Sequence, residues 1–250
     1  MKSKKVLIVD DNALNRRVFE NIIGQLYEYD TAENGKIAID KLAKEHFDLI
    51  LMDIQMHVMD GISALKKIKN EQLTDSPIIA ISAYADQSDR DFFLSTGFID
   101  FISKPIKPKL FLETISYHIG KQSNDYPKEK NRDFENLDLD LKSLNQLLKY
   151  NSIENIRIVY DEFIEESEVL ISEIKELIER DELHKIGDKL HIIKGNSGTL
   201  GALKIFNSSK EFEKDIKNEI FENTLKDYLI LKENLVSFKR HIQTIQTLNP

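Results

Sequence analysis

Residues 5–11 read KVLIVDD, an apolar run that ends in two adjacent carboxylates. A continuous run of this kind predicts a strand buried on both faces of a sheet. Comparable runs are FDLILMD (47–53) and PIIAISA (77–83), with weaker ones at EYDTA (28–32) and FIDFIS (98–103). Segments with helical apolar spacing follow each strand, at 13–26, 35–45, 61–70, 86–97 and 107–120. The alternation predicts an α/β fold, a doubly wound five-stranded parallel sheet covered on both faces.

The composition limits the classes of protein that need to be considered. The 250 residues carry a net charge of −8 and include no cysteine, which excludes disulfides and thiolate chemistry. No Lys/Arg-rich stretch offers a surface for nucleic acid, so we expect no nucleic-acid partner. Asp10 and Asp11 end the first apolar run too early for a signal peptide. No run approaches the roughly 20 apolar residues of a membrane span. We therefore expect a cytoplasmic protein with no membrane insertion.

The second half of the chain follows a different pattern. Residues 121–136, KQSNDYPKEKNRDFEN, are polar and without periodicity, which predicts a linker. No strand pattern returns after it, and helical spacing recurs at 139–150, 153–182, 188–201, 202–218 and 222–245. These segments predict an all-α bundle of four or five helices. We expect one domain over 1–120 and a second over 137–250.

Acidic and polar side chains follow the predicted strands of the first half. Asp10 and Asp11 follow the first strand, Asp53 ends the third, Ser82 ends the fourth and Lys104 comes just after the fifth. Ligands of doubly wound sheets bind beyond the carboxyl ends of the strands. Three carboxylates close together need a cation, and hard oxygen ligands suit Mg²⁺. The alternative is that the residues after the first strand only cap the next helix.

A second cluster lies in DKLHIIKGNSGTLG, residues 188–201. On a helix, Lys194, Gly195 and Gly198 share a face with His191. Two glycines within a helix lower its stability by roughly 2 kcal/mol relative to alanine, so their presence indicates a functional requirement. We interpret His191 as a nucleophile with a neighbouring cation for a phosphoryl group and bare backbone for the approach of a partner. The alternative is a core histidine near a helix end, with Gly201 as an ordinary C-terminal cap.

The strand-end motifs resemble a known family. VLIVDDNALNRR, DLILMDIQMHVMDG, IIAISA and DFISKPI are similar to the receiver domain of response regulators, especially receivers of hybrid histidine kinases, over about residues 3–120. The resemblance implies a flavodoxin-like sheet with Asp53 as phosphoacceptor. It also implies that Asp10, Asp11, Asp53 and the backbone of Gln55 bind Mg²⁺.

Other positions of the receiver pattern are also present. The resemblance implies that Lys104 contacts the phosphoryl group and that Ser82 and Phe101 are switch positions. It implies a cis peptide bond before Pro105. His57 departs from the pattern, because receivers usually carry proline there, and the rigidity of that loop depends on this position.

The segment HIIKGNSGTLG resembles the H-x-x-K-G-x-S-x-x-x-G signature of histidine phosphotransfer (HPt) domains. The similarity covers about residues 137–247, and the family is a helical bundle. It implies that His191 carries a phosphoryl group and that Ser197 is the signature serine. Leu190 and Ile193 are mild departures, since alanine and leucine are common at those positions.

Together, the two resemblances predict phosphorelay signalling. An upstream histidine kinase would phosphorylate Asp53 in an Mg²⁺-dependent reaction that the receiver itself catalyses. His191 would exchange the group with receiver aspartates and supply a downstream response regulator. A flexible linker of about 16 residues spans roughly 20–24 Å, which permits contact between the receiver and the HPt domain of one chain.

Alternatives stay open at this stage. The receiver could gate an HPt domain that drains phosphate, or the chain could be a scaffold that needs no phosphorylation. An aspartate-based phosphatase is disfavoured, because Gln55 stands where such enzymes carry a second acid. The sequence has neither a P-loop nor the glycine-rich ATP-binding motifs of a kinase.

Overall fold

The computed structural model describes residues 4–83, 87–120, 139, 144, 148 and 152–244. The chain divides into two compact units, Met1–Lys130 and Asn131–Pro250. The predicted linker and most of the predicted helix over 139–150 lie outside the described residues. The domain boundaries at 120 and 137 therefore stay predictions.

The first unit alternates strands and helices as predicted. Its described elements are, in order, β1 (Lys5–Val9), α1 (Ala13–Ile23), β2 (Glu28–Ala32), α2 (Gly35–Leu42), β3 (Leu49–Asp53), α3 (Gly61–Asn70), β4 (Ile78–Ser82), α4 (Gln87–Thr96), β5 (Asp100–Ser103) and α5 (Pro108–His118). All strand pairs are parallel, in the order β2-β1-β3-β4-β5. This is the flavodoxin-like order, so the predicted fold class is confirmed.

The apolar runs form the centre of the sheet. β3 and β4 are buried along their whole length, whereas β2 at the edge has a single buried residue, Ala32. On one face, Leu7 and Ile50 join a core with residues of α2 and α3. Side chains alternate between faces along a strand, and on the other face Phe19 of α1 stacks on Phe111 of α5 at 5.3 Å. Both faces are therefore covered by helices.

The register of the strands places the functional residues. Val9 of β1 pairs with Met52 of β3, so the residues that follow each of them, Asp10 and Asp53, are neighbours. Asp53 in turn pairs with Ile81 of β4. The carboxyl ends of β1, β3 and β4 therefore meet at one edge of the sheet.

Between residues 152 and 244 the second unit consists of helices and the short turns that join them. It contains α6 (Ile153–Glu179), a short 3₁₀ turn (Leu183–Lys185), α7 (Ile186–Leu200), α8 (Leu203–Lys217) and α9 (Thr224–Thr244). Helices that are adjacent in sequence pack together, and α9 returns to pack on α6. The four helices form a bundle, which confirms the predicted all-α second half.

Two helices of this bundle are long, with 27 residues in α6 and 21 in α9. Charged side chains occur along both of them. In the described parts of the chain, no helix is both long and apolar enough to cross a bilayer.

Candidate functional site

The first candidate site lies at the carboxyl edge of the sheet. Lys104, which follows β5, places its Nζ atom 3.2 Å from Oδ1 of Asp53 and 3.4 Å from Oδ2 of Asp10. All three side chains are buried. The predicted meeting of these residues at the strand ends is therefore confirmed. The structure adds that the lysine stands between the two carboxylates.

Lys104 is a permanent cation in this position. Burial alone would lower the pKa of its ammonium group, but the charges of Asp53 and Asp10 outweigh burial and raise that pKa well above its usual value. A phosphoryl group on Asp53 would therefore form next to a fixed positive charge.

Asp11 is held differently from Asp10. Its Oδ2 atom accepts a hydrogen bond from the backbone N–H of His57 at 3.1 Å, and the imidazole Nε2 lies 4.0 Å from the same oxygen. Val58, the next residue, has a φ of 67°, which is strained for a β-branched residue. The loop that lacks the usual proline is thus fixed to Asp11 through its backbone, while the His57 side chain is exposed.

The carboxylates do not form a compact metal cluster. Within 4–83, 87–120 and 152–244, no three acidic or histidine side chains converge to hold a metal ion. Lys104 lies between the carboxylates of Asp10 and Asp53, and Asp11 turns to the β3–α3 loop. The donor set still fits Mg²⁺, since the oxygens are hard ligands and two negative charges remain after Lys104 balances the third. Gln55, whose backbone carbonyl is the further ligand that the receiver resemblance implies, is half-buried in that loop.

The remaining positions that the receiver resemblance implies lie on β4, on β5 and just after β5. Ser82 ends β4 and is buried, and its carbonyl accepts a hydrogen bond from the backbone N–H of Lys104 at 2.7 Å. Phe101 is half-buried in β5, and its ring stacks on Phe93 of α4 at 5.5 Å. The peptide bond before Pro105 is cis, as predicted. The switch roles of Ser82 and Phe101 stay predictions.

The helix-capping alternative holds for one residue. Asn12 is the N-cap of α1, and its side chain accepts hydrogen bonds from the backbone N–H groups of Leu14 and Asn15. The carboxylate of Asp10 accepts instead from the backbone of Asn12 and from the side chain of Asn15. The side chain of Asp11 faces the β3–α3 loop, so neither aspartate caps the helix.

The second candidate site lies between α7 and α8. The Nδ1 atom of His191 lies 3.2 Å from Oε1 of Glu213, and 24% of the His191 side chain is exposed. With an ionised carboxylate as acceptor, Nδ1 carries the proton and donates it. The lone pair of a neutral ring then resides on Nε2. This arrangement suits a nucleophilic histidine.

Glu213 also belongs to this candidate site, although no sequence motif predicts it. It is buried, and it also accepts hydrogen bonds from Lys194 at 2.5 Å and from Lys217 at 2.7 Å. Burial would raise the pKa of the Glu213 carboxyl, but the hydrogen bond from His191, the charge of Lys194 and the hydrogen bonds from both lysines lower that pKa to about 2. The Glu213 carboxylate that contacts Nδ1 of His191 is therefore ionised.

The structure corrects the expected position of Lys194. The sequence predicts its ammonium group beside a phosphoryl group on His191, but the side chain is 1% exposed and pairs with Glu213. Lys217 is 48% exposed and contacts the same Oε1 atom as His191. Lys217 is therefore the partly exposed cation beside the imidazole.

The glycines of α7 differ from one another. Gly195 is half-buried, whereas Gly198 is buried, so the expectation that both open the surface is wrong for Gly198. Gly201 has a φ of 70° and caps the helix, as the alternative interpretation held. Ser197 is buried and donates to the carbonyl of Ile193 at 2.7 Å.

Comparisons with known proteins assign a family to each of the two units. Residues 6–116 match the response regulator receiver domain family, and residues 159–236 match the Hpt domain family. The polar-differentiation response regulator DivK of Brucella ovis is 38% identical over 120 residues, which are 47% of this chain and 98% of DivK. Hybrid signal transduction histidine kinase I of Dictyostelium discoideum is 35% identical over 130 residues, 48% of this chain and 8% of that kinase.

Among solved structures, the receiver domain of a sensor histidine kinase from Pseudomonas aeruginosa is 34% identical. It covers 47% of this chain and 98% of its own, with a TM-score of 0.43. The fold, the two sites and the family matches define a two-component phosphorelay protein. The chain belongs to the response regulator receiver family, and it joins a receiver domain to an Hpt domain in one polypeptide.

Proposed function

We propose that this chain passes phosphoryl groups between aspartate and histidine, with Asp53 as the aspartyl acceptor and His191 as the histidyl carrier. The observation that carries the proposal is that one chain supplies both reaction partners with the groups their chemistry needs. Asp53 has a fixed cation, Lys104, at 3.2 Å, and His191 has its Nδ1 atom held by the ionised Glu213. A docking scaffold requires neither arrangement.

The first step begins with the phosphohistidine of an upstream histidine kinase. A carboxylate oxygen of Asp53 attacks phosphorus, the N–P bond breaks, and the leaving imidazole takes up a proton. Lys104 balances negative charge on the phosphoryl oxygens without having to move far. Mg²⁺, when held by the carboxylates of Asp10, Asp11 and Asp53 and the carbonyl of Gln55, adds further positive charge at those oxygens.

The second step transfers the group to the helical unit. Nε2 of His191 attacks the phosphorus of an aspartyl phosphate, the acyl O–P bond breaks, and the carboxylate is restored. The imidazole gains positive charge in this step, and Glu213 stabilises that charge through Nδ1. Lys217 contacts the same Oε1 atom of Glu213 and adds positive charge on the Nδ1 side of the ring. His191 then supplies the receiver domain of a downstream response regulator.

Both steps are reversible, so the same residues could also return phosphoryl groups to Asp53 for hydrolysis. We propose a receiver over 1–120, a linker over 121–136 and an HPt domain over 137–250, with transfer between Asp53 and His191 of one chain. Intramolecular transfer predicts a rate constant that does not change with protein concentration. A rate proportional to concentration would show that the group passes between chains.

The proposal is tested with Mg²⁺ and a small-molecule phosphodonor. Acyl phosphates are lost in base and phosphohistidine in acid, so the stability of the bound phosphate identifies the bond. We expect Asp53→Asn to remove both the base-labile and the acid-labile phosphate, because Asp53 supplies His191. We expect His191→Gln to remove only the acid-labile phosphate. Asp40→Asn and His184→Gln, both at exposed positions, are the matched controls. Unchanged labelling in both active-site variants would overturn the proposal.

A further inference from the structure

Two consecutive residues of α1 hold the segment that carries Asp10 and Asp11. The side-chain Nδ2 of Asn15 lies 3.1 Å from Oδ1 and 3.2 Å from Oδ2 of Asp10. The Nη1 atom of Arg16 donates to the backbone carbonyls of Asp10 at 2.8 Å and of Asp11 at 3.0 Å. One side chain therefore orients a carboxylate, and the other fixes the backbone that directs both carboxylates.

An asparagine at position 15 is unfavourable for the packing of α1. It is 2% exposed on the buried face of α1, beside Leu14 and Val18. Within the described residues, its Oδ1 atom has no hydrogen-bond partner. An unsatisfied buried acceptor is unfavourable, and an apolar residue would suit this face better. The contact with Asp10 is therefore the feature that accounts for an asparagine here.

Arg16 is unusual as a cation at an acidic site. Its Nη1 atom contacts carbonyl oxygens of the Asp10–Asp11 segment. Lys104, in contrast, contacts carboxylates directly. A guanidinium that holds the main chain fixes the direction of the two carboxylates and leaves their oxygens to other partners. Groups that orient metal ligands in this way commonly change metal affinity by 10- to 100-fold when they are removed.

We infer that Asn15 and Arg16 are positioning residues that set the affinity of the Asp10–Asp11 segment for a divalent cation. The inference rests on the magnesium site of the proposed function. It predicts that Asn15→Leu and Arg16→Gln each raise the Kd for Mg²⁺ by about tenfold or more. Arg16→Lys should restore part of the affinity, because one nitrogen makes both contacts and an ammonium group can replace it.

The test is an NMR titration of the full-length, unphosphorylated chain with MgCl₂, with melting temperatures measured without the metal. Arg17→Gln and Asn21→Leu, on the same helix, are the matched controls. Removing a positive charge near carboxylates should by itself strengthen cation binding. A weaker affinity in Arg16→Gln, with unchanged or tighter binding in Arg17→Gln, therefore identifies positioning and not charge. Asn15→Leu should keep a melting temperature near that of the wild type.

The outcomes separate this inference from the proposed function. If the wild type binds Mg²⁺ and both Asn15→Leu and Arg16→Gln bind it equally well, the inference is overturned and the proposed function stands. If the Kd for Mg²⁺ rises as much in Arg17→Gln as in Arg16→Gln, the inference is also overturned. If Asn15→Leu does not fold, the variants of the half-buried Arg16 alone decide the result. A wild-type chain that does not bind Mg²⁺ overturns both.

Discussion

The Nδ1 atom of His191 and the Oε1 atom of Glu213 lie 3.2 Å apart, across the interface of α7 and α8. The two residues are 22 positions apart in the sequence. Glu213 is in turn held by the ammonium groups of Lys194 and Lys217. The orientation of the imidazole is therefore set by a buried carboxylate that two cations keep ionised.

Replacing Glu213 by glutamine should affect both stability and transfer. Lys194 would remain buried without its negative partner, which costs about 3 to 5 kcal/mol of the free energy of unfolding of the second unit. The amide oxygen can still accept from Nδ1, but it stabilises a cationic imidazole less, so transfer to His191 should slow about tenfold. Denaturant unfolding and rapid-quench transfer assays measure the two effects. Glu211→Gln, on the exposed side of α8, is the control, and equal behaviour of the two variants would contradict this account.

Lys194 and Lys217 should have separable effects. Lys194→Met removes a buried partner of Glu213 and should lower the free energy of unfolding by several kcal/mol. Lys217→Met removes a half-exposed cation and should change stability by at most about 1 kcal/mol. Lys217→Met should nevertheless slow transfer to His191 several-fold, because it lies beside the imidazole. Normal transfer in Lys217→Met, with the loss confined to Lys194→Met, would restore the role that the sequence predicted for Lys194.

The stability of the second unit should depend on pH through Glu213. The pKa of this carboxyl is about 2 in the folded state against a usual value of 4.5, so the folded form binds the proton less readily. The stabilising contribution is therefore complete above pH 4.5 and is lost as the pH falls from 4.5 toward 2. Urea midpoints between pH 7 and pH 3 should fall further for the wild type than for Glu213→Gln. If the urea midpoint changes equally with pH in both proteins, Glu213 does not contribute to the pH dependence of stability.

Removing Lys104 should separate metal binding from phosphoryl transfer. Lys104→Met leaves Asp10 and Asp53 without their shared cation, so the affinity for Mg²⁺ should rise about tenfold or more. Phosphorylation of Asp53 should slow about 100-fold, since the fixed charge at the phosphoryl oxygens is lost. A magnesium titration and the rate of phosphate uptake measure the two effects. Weaker Mg²⁺ binding with unchanged uptake would contradict the proposed roles.

The two inner glycines of α7 should respond in opposite ways to alanine. Gly195 is half-buried, so Gly195→Ala should raise the free energy of unfolding by about 0.5 to 1 kcal/mol through helix propensity. The added methyl group should slow transfer from a partner receiver. Gly198 is buried, so Gly198→Ala should lower stability by about 1 to 3 kcal/mol through overpacking. Denaturant unfolding curves measure both changes. A change in stability of the same sign in Gly195→Ala and Gly198→Ala would contradict the prediction.

The sheet and the strand-end residues could be predicted because the signals are local. An apolar run marks a buried strand, and a polar residue at its end lies at the shared edge in every doubly wound sheet. Asp10, Asp53, Ser82 and Lys104 lie where this rule predicts them. It could not show that the lysine lies between two carboxylates, because side-chain reach depends on the packing around each strand end.

The environment of His191 could not be predicted in the same way. Helical spacing places Lys194 on the His191 face but does not say whether that face packs on another helix. Glu213 lies in a charged stretch, SSKEFEKDIKN, and looks like a surface residue. One signal was available: the buried face of α8 includes Ser209, Phe212 and Ile216, and Glu213 falls on that face. A carboxylate among core positions indicates a buried partner.

Phosphorelay by this chain requires that Asp53 and His191 both carry a phosphoryl group, the latter on Nε2. The most direct measurement is a ³¹P NMR spectrum of the chain after reaction with a small-molecule phosphodonor and Mg²⁺. This account predicts an acyl phosphate signal that is absent in Asp53→Asn and a signal of Nε2-phosphohistidine that is absent in His191→Gln. A phosphohistidine signal of the Nδ1 isomer, or protein-bound phosphate that persists when both residues are replaced, would contradict it.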